Sequence, residues 1–146
     1  GFMIRPMKEE DLACVADLEK ICFTECWSYK LLEAGMNSPY DLYFVALCRD
    51  QIIGYCCLRL LAGEGEIQRI AVLPQKRRMG AGRKMMETMV SYAMERHVYA
   101  ISLEVRESNL AARRLYESFG FTAEAVRKGY YHNPSEDAII MWRQGR

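Results

Sequence analysis

The fold is decided by the stretch Ile70-Ala71-Val72-Leu73-Pro74-Gln75-Lys76-Arg77-Arg78-Met79-Gly80-Ala81-Gly82-Arg83-Lys84. An apolar run typical of a strand ends at Pro74, and a glycine turn follows it. After the turn, apolar residues recur with the spacing of one helix face. These residues are Met85, Met86, Met89, Val90 and Ala93. The stretch therefore predicts a strand, a glycine turn and a long amphipathic helix.

The predicted turn has the properties of an anion site. The first backbone N–H groups of a helix have no internal partner and carry the positive end of the helix dipole, so they suit a diphosphate. Cationic side chains flank the turn at Lys76, Arg77, Arg78, Arg83 and Lys84. The stretch lacks the Gly-Lys-Ser/Thr of a Walker loop, and Met85 stands where the dinucleotide fingerprint has its third glycine. The alternatives are a solvated basic helix start and a patch that binds nucleic acid.

A second stretch, residues 103–121, carries polar side chains suited to proton transfer. Glu104 interrupts an apolar strand near its carboxyl end, where ligands gather in open α/β sheets. Tyr116 borders the apolar face of the helix that follows, and a phenol there can donate a proton to a leaving group. The alternatives are a solvated Glu104, a packing role for Tyr116, and simple local capping by Asn109.

The remaining sequence alternates between strand and helix patterns. Strands are predicted at residues 3–7, 42–48, 52–61, 66–73, 100–105, 126–131 and 138–142. Helices are predicted over residues 10–22, from Ser28 to a break at Gly35 and Pro39, after the glycine turn, and from a Ser108 cap to Gly120. This order predicts an α+β or mixed α/β domain with a mixed sheet.

The composition fits one domain, residues 3–146, with Gly1 and Phe2 left out as an expression remnant. The chain has 146 residues, of which 51% are hydrophobic, and a net charge of +1. Near-neutrality disfavours a protein that coats nucleic acid or anionic membrane. No apolar run approaches the roughly 20 residues that span a bilayer. The sequence does not indicate the oligomeric state.

The six cysteines do not form a metal-binding pattern. No Cys-x-x-Cys pair occurs and there are two histidines, so we expect no metal site. The N-terminal residues lack the apolar stretch of a secretory signal, and we therefore expect reduced thiols and a cytoplasmic location.

Taken together, the two stretches resemble the Gcn5-related N-acetyltransferase superfamily. Residues 77–82 match its acetyl-CoA pyrophosphate motif, Q/R-x-x-G-x-G/A. A second motif, N-x-x-A-x-x-L-Y-x-x-x-G-F, is matched by Asn109, Ala112, Leu115, Tyr116, Gly120 and Phe121. The resemblance implies acetyl-CoA as cosubstrate. It also implies a mostly antiparallel sheet of about seven strands, with about four helices, that splays at the cofactor site.

Nearly the whole chain is similar to one branch, the bacterial RimI-type ribosomal-protein alanine N-acetyltransferases. The matching segments outside the cofactor half are Trp27-Ser28, Tyr130-Tyr131 and residues 136–141. Where that branch carries proline before the tryptophan, this chain has Cys26. The resemblance implies that the acceptor is the N-terminal α-amine of a protein, with the alanine of a small-subunit ribosomal protein as the expected case.

The resemblance also implies a role for each matching residue. Glu104 would be the general base and Tyr116 the general acid. The cofactor would be held by Ile70, Ala71, Val72, Arg78, Met79, Gly80, Ala81, Gly82, Arg83 and Asn109. Acceptor contacts would come from Trp27, Tyr130 and Tyr131.

Other readings of the chemistry stay open at this point. A lysine or small-amine acetyltransferase shares the same cofactor motif, and a non-catalytic acyl-CoA sensor would need neither Glu104 nor Tyr116. Cys48 or Cys56 could carry an acyl group, but neither has a base beside it in the sequence. We expect neither nucleic acid nor a membrane as partner.

Overall fold

The structure, a computed structural model, describes residues 1–145 and places seven strands in one sheet. The strands are β1 (Met3–Pro6), β2 (Asp41–Cys48), β3 (Gln51–Leu61), β4 (Glu64–Val72), β5 (Ala100–Arg106), β6 (Thr122–Tyr131) and β7 (Glu136–Gln144). The helices are α1 (Leu12–Cys22), α2 (Tyr29–Met36), α3 (Ala81–Glu95) and α4 (Leu110–Ser118), with short 3₁₀ turns at Glu9–Asp11 and Pro74–Lys76. No helix within residues 1–145 is long and apolar enough to cross a membrane.

The strand order is β1-β2-β3-β4-β5-β7-β6, and every neighbouring pair is antiparallel except β4 and β5. A parallel pair needs a crossover, and α3 supplies it between these two strands. The predicted mixed, mostly antiparallel sheet with four helices is therefore confirmed.

Strands β4 and β5 separate after a short ladder of hydrogen-bonded pairs. Their pairing runs from Glu64 opposite Ala100 to Ile67 opposite Leu103 and goes no further. At the same place β4 bulges against β3, because Leu58 faces Ile67 while Cys57 faces Arg69. A bulge bends a strand and increases its twist. The sheet therefore opens into a gap between the carboxyl-terminal halves of β4 and β5, which is the expected splay.

Apolar residues cover both faces of the sheet. On one face, the predicted helix stripe of α3 is fully buried against the sheet, with Met85, Met86 and Met89 at 0% exposure. On the other face, α1 and α2 pack over Val45, Tyr55 and other residues of β2 to β4. In each helix the apolar residues recur with the helical period and lie on the face that packs against the sheet. The packing therefore agrees with the sequence pattern.

Several predicted boundaries need correction. Ser108 does not cap α4. The N-cap is Asn109, whose side-chain oxygen accepts from the Ala112 N–H (3.2 Å), while the Ser108 N–H donates to Glu136 (2.6 Å). Helix α4 ends at Ser118, before Gly120.

Three strands begin at least two residues earlier than predicted, at Glu64 for β4, Thr122 for β6 and Glu136 for β7. Strand β6 lies at the sheet edge, and all but its last residue are exposed. Its register therefore follows from pairing with β7, and no apolar alternation marks its start. Phe2, which was left out of the fold prediction, packs against the main core.

A buried carboxylate joins α1 to the sheet. Glu19 is 0% exposed and accepts two hydrogen bonds from the Arg69 guanidinium, at 2.7 and 2.9 Å. The Tyr55 hydroxyl and the Trp27 N–H (2.7 Å) also donate to it. Every lone pair that the fold removes from water thus finds a donor, which is the condition for tolerating a buried charge.

Removing Arg69 should therefore destabilise the fold strongly. Replacement of Arg69 by Met leaves the Glu19 carboxylate buried without its cation, which costs about 3 kcal/mol or more. Lys128→Met is the matched control, because Lys128 is 87% exposed in its pair with Asp137 and such pairs contribute about 0.5 kcal/mol. Urea unfolding measures both, and equal free energies of unfolding for the two variants would contradict the expected role of the pair.

Candidate active site

The glycine turn lies at the gap, where β4 has ended and α3 begins. Arg78 and Gly80 both have positive φ, of 64° and 96°. Gly80 is the N-cap of α3, and the first helical hydrogen bond runs from the Lys84 N–H to the Gly80 carbonyl (3.0 Å). The amides of the three residues between them therefore precede the helical ladder. These are Ala81, Gly82 and Arg83, and Met79 beside them is 55% exposed.

The cationic side chains around the turn have different surroundings. Arg83 points to the end of α4, where it donates to the Ser118 hydroxyl (3.3 Å) and lies over the Phe119 ring. Arg77 folds back and donates to the Val72 carbonyl at 3.0 Å. The Arg83 guanidinium thus lies against the end of α4, while Arg77 reaches the end of β4.

Backbone groups of β4 point into the gap at alternate residues. The Leu73 N–H donates to the Ile53 carbonyl of β3 (2.8 Å), so Ala71, two residues earlier and opposite Tyr55, also directs its groups toward β3. Ile70 and Val72 therefore direct theirs toward the gap, which β5 no longer fills. Within the predicted trio, Ile70 can pair with a ligand through both backbone groups and Val72 through its N–H, because Arg77 takes the Val72 carbonyl. The backbone groups of Ala71 are directed toward β3 instead.

Glu104 stands one residue beyond the last β4–β5 pair, at the opening of the gap. The Tyr130 hydroxyl donates to its Oε1 at 3.4 Å, and the Nε of Arg127 lies 3.4 Å from its Oε2. Oε2 is buried, yet it has no hydrogen-bond partner within residues 1–145. Apart from the ion pair with Arg127, this buried acceptor makes no hydrogen bond, which is rare in folded proteins and leaves a place where a further donor can bind.

Tyr116 is buried at 6% exposure and packs edge to face on Phe121, with the ring centroids 6.4 Å apart. Burial raises the pKa of Tyr116 well above its usual value, and the nearby Tyr131 phenol adds to the effect. The phenol is therefore neutral throughout the physiological range and can only donate or share its proton.

The three predicted acceptor residues lie on two segments. Tyr130 and Tyr131 end β6 and pack edge to face, 5.1 Å apart. Burial and the charge of Glu104 raise the pKa of Tyr131 to about 12. Trp27 lies after α1, where the Arg69 guanidinium is 4.7 Å from its ring. A cleft of about 340 Å³ opens beside Trp27 toward α2.

Asn109 is committed to its own helix, because its side-chain oxygen caps α4. Its amide nitrogen is left for other contacts.

The two cysteines considered as nucleophiles are poorly placed for that role. Cys56 is 0% exposed and burial raises the pKa of its thiol, while Cys48 is half-buried at the end of β2. All six cysteines are free, and no cluster of metal-ligating residues occurs within residues 1–145.

Sequence reasoning missed the charged residues that surround the predicted ones. Arg127 reaches Glu104 from β6, a contact that no local pattern marks. Glu19 and Arg69 did leave a signal, because Glu19 lies one residue after Leu18 on the apolar face of α1 and Arg69 stands inside an apolar strand. A charge at an inward-facing position predicts a partner, although it does not identify that partner.

Comparison with known proteins agrees with this geometry. The sequence model described as Acetyltransferase (GNAT) family matches residues 12–121. The chain belongs to the acetyltransferase (GNAT) family. A Bacillus subtilis relative is 34% identical over 144 residues, which cover 95% of this chain and 93% of its own. An Escherichia coli relative, 32% identical over 94% of both chains, is named [Ribosomal protein bS18]-alanine N-acetyltransferase.

Solved structures in the GNAT family agree as well. The crystal structure of the Escherichia coli ribosomal-protein-S18-alanine N-acetyltransferase superposes with a TM-score of 0.90. It is 30% identical and covers 99% of this chain and 94% of its own. This chain is accordingly an acetyl-CoA-dependent N-acetyltransferase, and the resemblance read from its two motifs is confirmed.

Proposed function

We propose that this single N-acetyltransferase domain transfers acetyl from acetyl-CoA to the N-terminal α-amine of a protein, with the N-terminal alanine of ribosomal protein bS18 as its substrate. The names of its relatives support the acceptor. Glu104 carries the chemical part of the proposal, because its buried Oε2 lies at the gap and, apart from the 3.4 Å ion pair with Arg127, makes no hydrogen bond within residues 1–145.

The residues of the gap fit acetyl-CoA. Ile70 offers its backbone N–H and C=O on an unpaired strand edge and Val72 offers its N–H, which suits the amides of a pantetheine arm. The amides from Arg78 to Arg83 lie at the amino end of a 15-residue helix, where a diphosphate is favoured. Asn109 follows β5 at the start of α4, and its amide nitrogen is proposed to contact the cofactor.

Glu104 is proposed to accept the proton of the incoming amine. A protein α-amine has a reference pKa of about 7.7–8.0 and arrives partly protonated. Oε2 can accept a hydrogen bond from that ammonium directly or through one water, while Tyr130 donates to Oε1 and Arg127 pairs with the carboxylate at Oε2. The deprotonated amine can then attack the thioester carbonyl with no covalent enzyme intermediate.

Val72 and Tyr116 are proposed to serve the two charges that the attack creates. The Val72 N–H points into the gap and can donate to the oxyanion of the tetrahedral intermediate. Tyr116, kept neutral by burial, can protonate the departing thiolate of CoA. Trp27, Tyr130 and Tyr131 are proposed as the rigid walls beside the acceptor, since aromatic side chains supply contact area at little entropic cost.

The cofactor assignment predicts a large effect at Gly82. Gly82→Asp brings a carboxylate to the amides of the turn, and its repulsion of a diphosphate should weaken acetyl-CoA binding on the order of tenfold or more. Gly82→Ala is the matched control, because a Cβ there would meet only Leu115 at an ordinary 3.5 Å. Calorimetry measures both, and wild-type affinity in Gly82→Asp would refute the assignment.

The acid–base assignment predicts distinct pH profiles for two variants. Groups in these roles typically contribute about 10²–10⁴-fold to the rate. Glu104→Gln should lower turnover most at low pH, where more of the acceptor is protonated. Tyr116→Phe should lower turnover evenly from pH 6 to 9, because the raised pKa keeps the phenol protonated across that range. Wild-type rates in both variants would leave positioning alone to explain catalysis.

The acceptor assignment is tested with competing amines. A peptide that begins with alanine and carries an internal lysine is incubated with the enzyme and acetyl-CoA, beside lysine peptides and polyamines in parallel. Mass spectrometry should place the acetyl group on the α-amine. Acetyl groups mainly on lysine or polyamines would favour the alternative acceptors, and no transfer to any amine, with acetyl-CoA bound, would indicate a sensor.

A further inference from the structure

Beyond the point where β4 and β5 separate, each strand carries an arginine that holds a neighbouring segment. Arg69 of β4 lies over the Phe23 ring, 3.8 Å from its centroid, and donates to the Glu25 carbonyl at 3.0 Å. It therefore fixes the segment between α1 and α2 to β4. The same guanidinium is anchored by the buried Glu19.

Arg106 of β5 holds the connection between β6 and β7 in the same way. It donates to the carbonyls of His132 (3.1 Å) and Pro134 (3.0 Å) and to the Glu136 carboxylate (3.2 Å). Its guanidinium also lies 4.5 Å from the Tyr131 ring centroid. Hydrogen bonds from Ser108 and the neighbouring Arg106 hold the pKa of Glu136 below its usual value, so it stays ionised for this contact.

The two held segments meet above the gap. The His132 N–H donates to the Glu25 carboxylate, Oε1, at 3.1 Å. Because Glu25 is fixed to β4 and His132 to β5, this one hydrogen bond connects the two sides where the sheet itself is open. Tyr130 and Tyr131 come just before His132, and Tyr130 contacts Glu104. The connection therefore borders the space in front of the proposed base.

We infer that the Glu25–His132 hydrogen bond closes the acceptor entrance and makes Glu25 a determinant of acceptor selectivity. The inference rests on the proposed α-amine acceptor. An N-terminus reaches a reacting centre with one chain leading away from it. A lysine within a peptide has peptide chain on both sides. An entrance closed by the Glu25–His132 hydrogen bond leaves no room for the second length of chain. Loss of the connection should admit internal lysines.

The chemistry of position 25 supplies graded variants. Alanine removes the acceptor atom, whereas glutamine keeps an oxygen at the same place without the charge. Glu33→Ala is the control for removing a carboxylate nearby, because Glu33 is exposed on α2 and its side chain makes no hydrogen bond or ion pair within residues 1–145. Both positions lie at the surface, so all three variants should fold.

The measurement is the ratio of kcat/KM for two peptides of one sequence. One has a free N-terminal alanine and arginine in place of its internal lysine, and the other has a blocked N-terminus and the lysine intact. Glu25→Ala should raise the lysine-to-α-amine ratio about tenfold, the effect expected from losing one charge-assisted hydrogen bond. Glu25→Gln should raise it less, Glu33→Ala should not change it, and KM for acetyl-CoA should be the same throughout.

The outcomes separate this inference from the proposed function. If the unmodified chain prefers the α-amine and Glu25→Ala leaves the ratio unchanged or lowers it, the role of Glu25 is refuted and the proposed acceptor stands. If the unmodified chain already prefers the lysine peptide, the α-amine proposal fails and this inference fails with it. An equal rise in Glu33→Ala would show a general effect of surface charge and would also refute the role of Glu25.

Discussion

Strands β4 and β5 share a ladder of only four residue pairs, and the candidate site lies beyond its end. A parallel pair that continued would bury the backbone groups of Ile70 and Val72 against β5 and leave no room for a ligand. Two features stop it. The bulge bends β4 at Gln68, and β5 is paired along its whole length with β7 on its other side. The sheet stays continuous because each of the two strands keeps a full partner elsewhere.

An open gap in a sheet exposes polar backbone and requires other contacts to fix its sides. Here charged side chains supply them. The Glu19–Arg69 pair would be expensive if it were incomplete, since ions removed from water are stabilised only by close partners. With donors from Tyr55 and Trp27 as well, the pair sets α1 and the following segment against β4. Apolar residues could pack at these positions, but they would not direct a guanidinium to the Glu25 carbonyl.

The parts that could be predicted from the sequence are those where chemistry is local. The glycine turn and the apolar face of α3 can be recognised from one continuous stretch of sequence. The same is true of the strand that carries Glu104 and the helix that carries Tyr116. The parts that could not be predicted depend on pairing across the sheet. Nothing near Arg127 indicates that it meets Glu104, and the start of β6 has no apolar alternation because neither of its faces is buried. The capping of α4 was assigned to the wrong neighbour, because Ser and Asn are both good caps and Glu136, distant in sequence, takes the Ser108 N–H.

The two sides of the gap are formed by different kinds of group, backbone on one side and side chains on the other. Substitutions therefore affect the two sides differently. The proposed cofactor side consists of backbone groups: the edge of β4, the left-handed turn at Arg78 and Gly80, and the first amides of α3. The positions of those groups depend on the path of the backbone. Substitution of a glycine in the turn therefore affects them more than substitution of most other residues there. The acceptor side consists of side chains, many of them charged and partly exposed. Arg106 and Glu25 can change without disturbing the turn proposed to face the diphosphate, whereas Arg69 is also held by the pair with the buried Glu19. If the proposed assignments hold, a fold divided in this way can keep one acyl donor while its acceptor changes, because no residue proposed to close the acceptor entrance is also proposed to hold the pyrophosphate.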